Sequence, residues 1–213
     1  MSVVAKDDVI QIERWALGAF ETNCYLLKCL ETSESVLVDA PGEAEEILRW
    51  VETTNPQYIV MTHNHMDHTG ALVEVRDALK IPLASHELDA QRLPCQPDIL
   101  FDDGDKVSFG SVGLTVLHTP GHTPGSLCFL LGKHLIAGDT IFPGGPGKTA
   151  SPSALKQMIE SLTAKVFVLP EDTTIYSGHG DFTTVGKEKA QFAEFSSRPH
   201  DPQLCGDVLW LSS

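Results

Sequence analysis

The chain is short of basic residues. Fifteen Lys and Arg stand against 29 Asp and Glu, a formal net charge of −14. Nucleic-acid binding needs clustered cations facing phosphate, so a nucleic-acid partner is not expected. Long apolar runs are also missing. None approaches the ~20 residues that cross a bilayer, and a membrane partner is not expected either. Met1 to Glu13 has no extended apolar segment of the signal-peptide kind and carries Lys6, Asp7, Asp8 and Glu13, so a cytoplasmic location is expected. Cys24, Cys29, Cys95, Cys128 and Cys205 contain no C-x-x-C pair. That spacing excludes a purely thiolate metal site and favours reduced structural thiols. Repeats at the short periods of solenoids are absent, and 213 residues suit one domain.

What is present alternates between short apolar strands and amphipathic helices. Val9–Leu17, Cys24–Leu30, Val36–Val38 and Tyr58–Met61 read as strands, with a helix over about Glu43–Thr53. Further helices are expected over Ala71–Leu79, Glu87–Leu93, Ser153–Leu162 (capped by Ser153) and Thr184–Phe195. Strands are expected at Ile81–Ala84, Lys106–Phe109, Leu114–Leu117, Leu127–Leu131, Leu135–Ala137 and Thr173–Tyr176, with Pro94–Gly104 irregular. This pattern predicts an α/β fold of sheet layers covered by helices. A domain over residues 1–197 is expected, followed by a Pro-interrupted tail, 198–213, outside the core. Within that tail, Val208, Leu209, Trp210 and Leu211 are poor choices for a free end and predict docking on the domain or on a second subunit.

The most informative stretch is Thr62-His63-Asn64-His65-Met66-Asp67-His68, directly after a predicted strand. His63 and His65 are two apart, so an extended backbone turns both to one side. Asp67 and His68 can be aimed at a second point by a turn. Three more metal-ligating types lie in Gly-rich turns or at strand ends: His122 in Thr119–Ser126, Asp139 after Leu135–Gly138, and His179 in Ser177–Gly180. Imidazole and carboxylate suit zinc, iron and manganese. His86, His134 and His200 are expected at the surface, and His118 in the core or supporting a ligand. Asp102–Asp105 reads as a surface turn rather than a calcium loop. Gly147-Lys148-Thr149 is not a phosphate loop, because Phe142 stands where its first glycine belongs.

On these motifs, H-x-H-x-D-H, T-P-G-H-T-P-G-S and the Gly-Asp strand end, the chain resembles the metallo-β-lactamase-fold superfamily. Within it the chain is most similar to short relatives of glyoxalase II (hydroxyacylglutathione hydrolase). The resemblance runs from about Glu13 to Phe195. It implies a four-layer αββα sandwich with the site at one end. It also implies two divalent metals, most simply zinc, with iron or manganese as alternatives. His63, His65 and His122 would hold the first, Asp67, His68 and His179 the second, and Asp139 would bridge them. Asp39, in an Asp-x-Pro-Gly turn, would orient the His loop or be a plain turn residue. The implied chemistry is attack on an acyl thioester by a metal-activated bridging hydroxide, with Asp67 as the catalytic residue beside the water.

The small-molecule substrate is less legible. Lys148 matches a family residue that contacts the glycine carboxylate of glutathione, or is simply an exposed loop lysine. Ala150 and Asp181 replace the aromatic residues that the family places nearby, and Asp181 is expected to repel an anion, so weak glutathione recognition is expected. β-Lactamases of the superfamily lack the Asp139 equivalent, so antibiotic hydrolysis is not expected. The alternatives are a persulfide dioxygenase using one iron on His63, His122 and Asp139, a non-catalytic partner-binding member, and a nuclease. The full ligand set opposes the second, and the acidic composition and lack of an inserted domain oppose the third.

Overall fold

A computed structural model describes residues 1–213. Seven strands form a first sheet in chain order: β1 (Ser2–Lys6), β2 (Ile10–Leu17), β3 (Thr22–Cys29), β4 (Glu34–Val38), β5 (Asn55–Val60), β6 (Leu83–His86) and β7 (Ile99–Phe101). β1 to β4 are antiparallel, and β4 to β7 are parallel. β8 (Lys106–Phe109), β9 (Val112–His118), β10 (Leu127–Leu131) and β11 (His134–Gly138) begin the second sheet. β12 (Ile141–Phe142) and β13 (Gly145–Pro146) form a separate small ribbon. β14 (Thr174–Ser177) then pairs parallel to β11, and β15 (Thr183–Thr184) closes the sheet edge.

Strand alternation explains the layers. In β3, Tyr25, Leu27 and Cys29 face the second sheet, where they meet Phe109, Leu114, Val116, Phe129 and Ile136. Cys24 and Leu26 face the other way, with Leu37, toward α1 (Ala44–Val51) and a later helix through Ile47, Trp50, Leu72 and Val75. Both faces are buried, so these strands read as continuous apolar runs. Between α1 and that later helix lies α2 (Met66–Thr69); the later helix is α3 (Leu72–Leu79). α4 (Glu87–Ala90) is a single turn after β6. On the outer face of the second sheet, α5 (Pro152–Ser161) continues as a π-turn, Leu162–Val166, and packs with α6 (Val185–Ser196). The result is helix, sheet, sheet, helix, as the αββα expectation required.

Some local expectations need correction. Ser151, not Ser153, caps α5, its hydroxyl accepting from Ala154 N at 3.2 Å, because Pro152 occupies the first turn where no amide donor is needed. β1 falls in a segment that was not predicted as a strand, and β7 in one predicted irregular; both are held by register with β2 and β6 rather than by their own periodicity. His86 is buried, stacked on His118 with centroids 3.8 Å apart, and its Nδ1 accepts from Leu88 N.

The tail also departs from its expected place outside the core. Val208 and Trp210 are buried with Leu155, Met158, Val185 and Phe195. The Trp210 indole N–H donates to Glu188 Oε2 at 3.1 Å, and Trp210 N donates to Gly144 O at 2.8 Å. Glu188 is itself fully buried and also accepts from Gly144 N and Thr183 Oγ1. Docking is therefore on the chain's own domain. Trp210→Ala is expected to cost about 3–5 kcal/mol by emptying this site, and deletion of 198–213 to lower Tm. Denaturant unfolding of both variants checks this, and unchanged midpoints would show that the tail contributes nothing.

Candidate metal centre

Four loops supply the site, and each follows the end of a strand. β5 leads into His63–His68, β9 into the His122 turn, β11 into Asp139 and β14 into His179. His65 is extended after the strand, and the single helical turn of α2 re-aims Asp67 and His68. The Leu127 amide donates to Thr62 O at 2.8 Å, which ties the His loop to the second sheet. All seven sequence-predicted ligand residues come together. His63, His65 and His122 form one cluster; Asp67, His68 and His179 form another; His63, His68 and Asp139 form a third between them.

Within each of these clusters the ligand atoms lie within 4.8 Å of one another. His65 Nδ1 is 3.1 Å from His63 Nε2 and 2.9 Å from His122 Nε2. Asp139 Oδ1 is 3.3 Å from His68 Nε2, while Oδ2 is 3.5 Å from His122 Nε2 and 3.7 Å from His179 Nε2. Asp67 Oδ2 is 3.1 Å from His179 Nε2 and 3.9 Å from His68 Nε2. Two donors about 2 Å from a tetrahedral ion stand roughly 3.3 Å apart, so these spacings are those of metal ligands.

The hydrogen bonds fix which ring nitrogen faces inward. The His68 Nδ1–H donates to Asp39 Oδ2 at 2.7 Å, His122 Nδ1–H to Lys148 O at 2.8 Å, and His179 Nδ1–H to Phe20 O at 3.1 Å. The Thr62 hydroxyl donates to Asp39 Oδ2, so at its 3.0 Å contact with His63 Nδ1 it must accept. Each of these four histidines therefore turns Nε2 to the centre, and His65 alone turns Nδ1. Lone pairs facing each other at about 3 Å repel unless a cation lies between them. Buried His68 Nε2 and Asp139 Oδ1 have no hydrogen-bond partner, which is the same demand in another form. The residues present thus fit one or two divalent ions.

Electrostatics agree. Burial pushes the His68 imidazole down, but Asp39 and Asp139 outweigh it and raise it to about 10. Burial opposes ionisation of Asp139, yet His68, His122 and His179 hold its carboxyl below the usual range. Burial and neighbouring imidazoles push His63 and His65 down, leaving their lone pairs free. The centre thus draws a positive charge toward Asp139, and a metal would replace the proton on His68.

Two buried carboxylates hold the loops in place. Asp39 stands at φ 61, a left-handed conformation that Asp tolerates better than most residues. From there its Oδ1 accepts from Thr62 N at 2.8 Å and its Oδ2 from Thr62 Oγ1 at 2.7 Å, so it does more than form a turn. Asp89 had no signal in the sequence beyond being an acidic residue in a short helix. Its Oδ2 accepts from Asn64 N at 3.1 Å and Thr123 Oγ1 at 2.7 Å, and its Oδ1 from Gly125 N at 2.9 Å. It thereby joins the His63/His65 loop to the His122 turn. On the opposite side, Asn23 Nδ2 donates to Ser177 O and Gly180 O, and Tyr25 Oη to Ser177 O, fixing the turn that carries His179.

A cavity of about 490 Å³ opens beside the cluster, lined by His65, His122, Asp139, Phe142, Lys148 and Asp207 among others. Lys148 lines this cavity, and its exposed Nζ is paired with Asp207 Oδ2 at 3.1 Å. Asp181 does not line it. The acidic group expected to face an anionic ligand is therefore contributed by the tail, not by the His179 turn.

Asp139→Ala is expected to weaken metal binding at both triads, and His179→Ala mainly at the Asp67/His68 side; elemental analysis reads both. Full retention of two ions by Asp139→Ala would remove the bridging assignment. Asp89→Ala is expected to lower metal affinity by about 10–100-fold, as loss of an orienting partner does, and competition with a chelator measures it.

Residues 17–179 match the model of the Metallo-beta-lactamase superfamily. The "Hydroxyacylglutathione hydrolase GloC" of Haemophilus influenzae is 32% identical over 203 residues, covering 84% of this chain and 95% of that protein. The solved structure of the BLEG-1 B3 metallo-beta-lactamase superposes with a TM-score of 0.77 at 31% identity, covering 84% of this chain and 96% of the other. That of TTHA1623, in a di-iron-bound form, gives 0.71 at 31% identity, covering 83% and 96%. The chain belongs to the metallo-β-lactamase superfamily, with a glyoxalase II-like resemblance.

Proposed function

We propose that the chain is a binuclear metal-dependent hydrolase acting on an acyl thioester. The observation that carries this reading is the convergence of two three-residue ligand groups on one largely buried carboxylate, Asp139, at the edge of a cavity open to a small molecule. The relative named a hydroxyacylglutathione hydrolase supports the thioester, and the di-iron relative supports two ions. Zinc is the proposed metal, with iron or manganese as the alternatives that this donor set also accepts.

The bound ions would supply an acidified water and a Lewis acid for the carbonyl oxygen. The chain supplies the rest. His63, His65 and His122 on one side, and Asp67, His68 and His179 on the other, fix two positions, and Asp139 joins them. Asp67 is partly exposed beside the cavity, with Oδ2 turned toward His179. We assign it to orient the attacking water and take its proton, which it can pass to solvent. Phe142 stacks near the His179 ring, 6.4 Å between centroids, and covers that side of the cavity with an apolar surface.

The zinc-loaded and iron-loaded proteins should each be given a simple acyl thioester, glutathione persulfide and a β-lactam, with thiol release, oxygen uptake and ring opening followed. Thioester cleavage is expected, and Asp67→Asn should lower kcat by about 10²–10⁴, the usual worth of a positioned acid–base group. Oxygen uptake by the iron form with no thioester cleavage by either form would establish the dioxygenase reading instead. β-Lactam opening alone would make the chain a β-lactamase.

A further inference from the structure

The tail forms part of the cavity wall. Gly206 pairs with Thr149 by two backbone hydrogen bonds, N–H to O in each direction, at 3.1 and 2.9 Å. Val208 and Trp210 are buried. Asp207 is thus clamped between a backbone pairing on one side and a core anchor on the other. The adjoining ribbon lies close against this segment, since a Cβ on Gly145 would lie 2.3 Å from Val208 O. The carboxylate is held beside Lys148, the only Lys or Arg lining the cavity.

We propose, resting on the thioester reading, that Asp207 is a specificity-determining residue that makes the cavity select thioesters whose thiol arm is uncharged. Two features favour this. Lys148 already has a carboxylate partner, so a carboxylate on the substrate must displace Asp207 and then remain next to it. The surface beside the ion pair is apolar, from Phe142, Pro143, Pro146 and Leu209. An uncharged arm lies against that surface without breaking the pair. The exposed pair itself contributes little to stability, so its effect is on which ligand enters rather than on the fold.

The test uses the full-length zinc-loaded protein. Binding of S-methylglutathione, a non-hydrolysable anionic thioether, is measured by calorimetry for wild type, Asp207→Asn and Asp207→Asn/Lys148→Ala. Removing a charge some 5 Å from the ligand's carboxylate in water changes affinity by about three- to tenfold. Asp207→Asn should therefore bind more tightly by about that factor, and the double variant should lose the gain. In parallel, kcat/KM is compared for S-lactoylglutathione and an acyl thioester of N-acetylcysteamine. Their ratio should shift toward the glutathione thioester in Asp207→Asn by a similar factor. Equal binding and an unchanged ratio in all three proteins would overturn the assignment while leaving hydrolysis intact. A binding gain without cleavage of any thioester would uphold the charge selection and overturn the thioester reading.

Discussion

Asp139 is a largely buried carboxylate just past the end of β11, and its buried Oδ1 has no hydrogen-bond donor. Such a group is tolerated only where positive charge is close at hand. The surrounding chain meets that condition with four loops, and the closeness of their approach leaves room for nothing larger than glycine. A Cβ on Gly178 would fall 2.1 Å from Asp139 Oδ1, and one on Gly147 would fall 1.7 Å from Asp139 O. The glycines preceding His179 and Lys148 are thus consequences of where Asp139 sits. The imidazoles then face one another with lone pairs inward, an arrangement that needs a cation to hold it.

The sandwich supplies the rigidity that this cluster requires. The ligand-bearing loops all leave the same end of the two sheets, where strand direction is set by registers buried on both faces. Positions on strand ends are more precise than positions in free loops. Asp39 and Asp89 extend that precision outward. One binds the start of the His loop and His68; the other binds the middle of the His loop and the His122 turn. Neither is among the residues that could hold metal, yet each couples two loops that do.

Legibility in the sequence followed the range of the interactions. The His63–His68 block was readable because its ligands are spaced by strand and turn geometry alone. His122, Asp139 and His179 were readable because each sits in a local turn with glycine beside it. The layered fold was readable from buried strands that alternate with amphipathic helices. Asp89 was not, since its three partners come from two other loops and nothing in Glu87–Ala90 marks one acidic residue from another. β1 was missed because its residues are half exposed and its register comes from β2. The apolar cluster of the tail was read as a docking segment, as it is, but the tail was placed outside the core, because its partner Glu188 lies in a helix that reads as solvent-facing. The same long-range return misplaced the acidic side of the cavity, from Asp181 to Asp207.

That return couples stability to selectivity through one buried carboxylate. Glu188 accepts from Trp210 in the tail, from Gly144 beside the β12–β13 ribbon and from Thr183 in β15. The ribbon leads into Lys148, whose carbonyl fixes the His122 ring while its ammonium meets Asp207. A change that loosens Trp210 therefore acts first on the core, then on the ribbon, and only then on the charge at the cavity wall. Substitution at Asp207 has no such route inward, because its side chain is exposed and bonded only to Lys148. The two ends of one short segment thus separate cleanly: Trp210 governs whether the wall stands, and Asp207 governs which charge the wall presents.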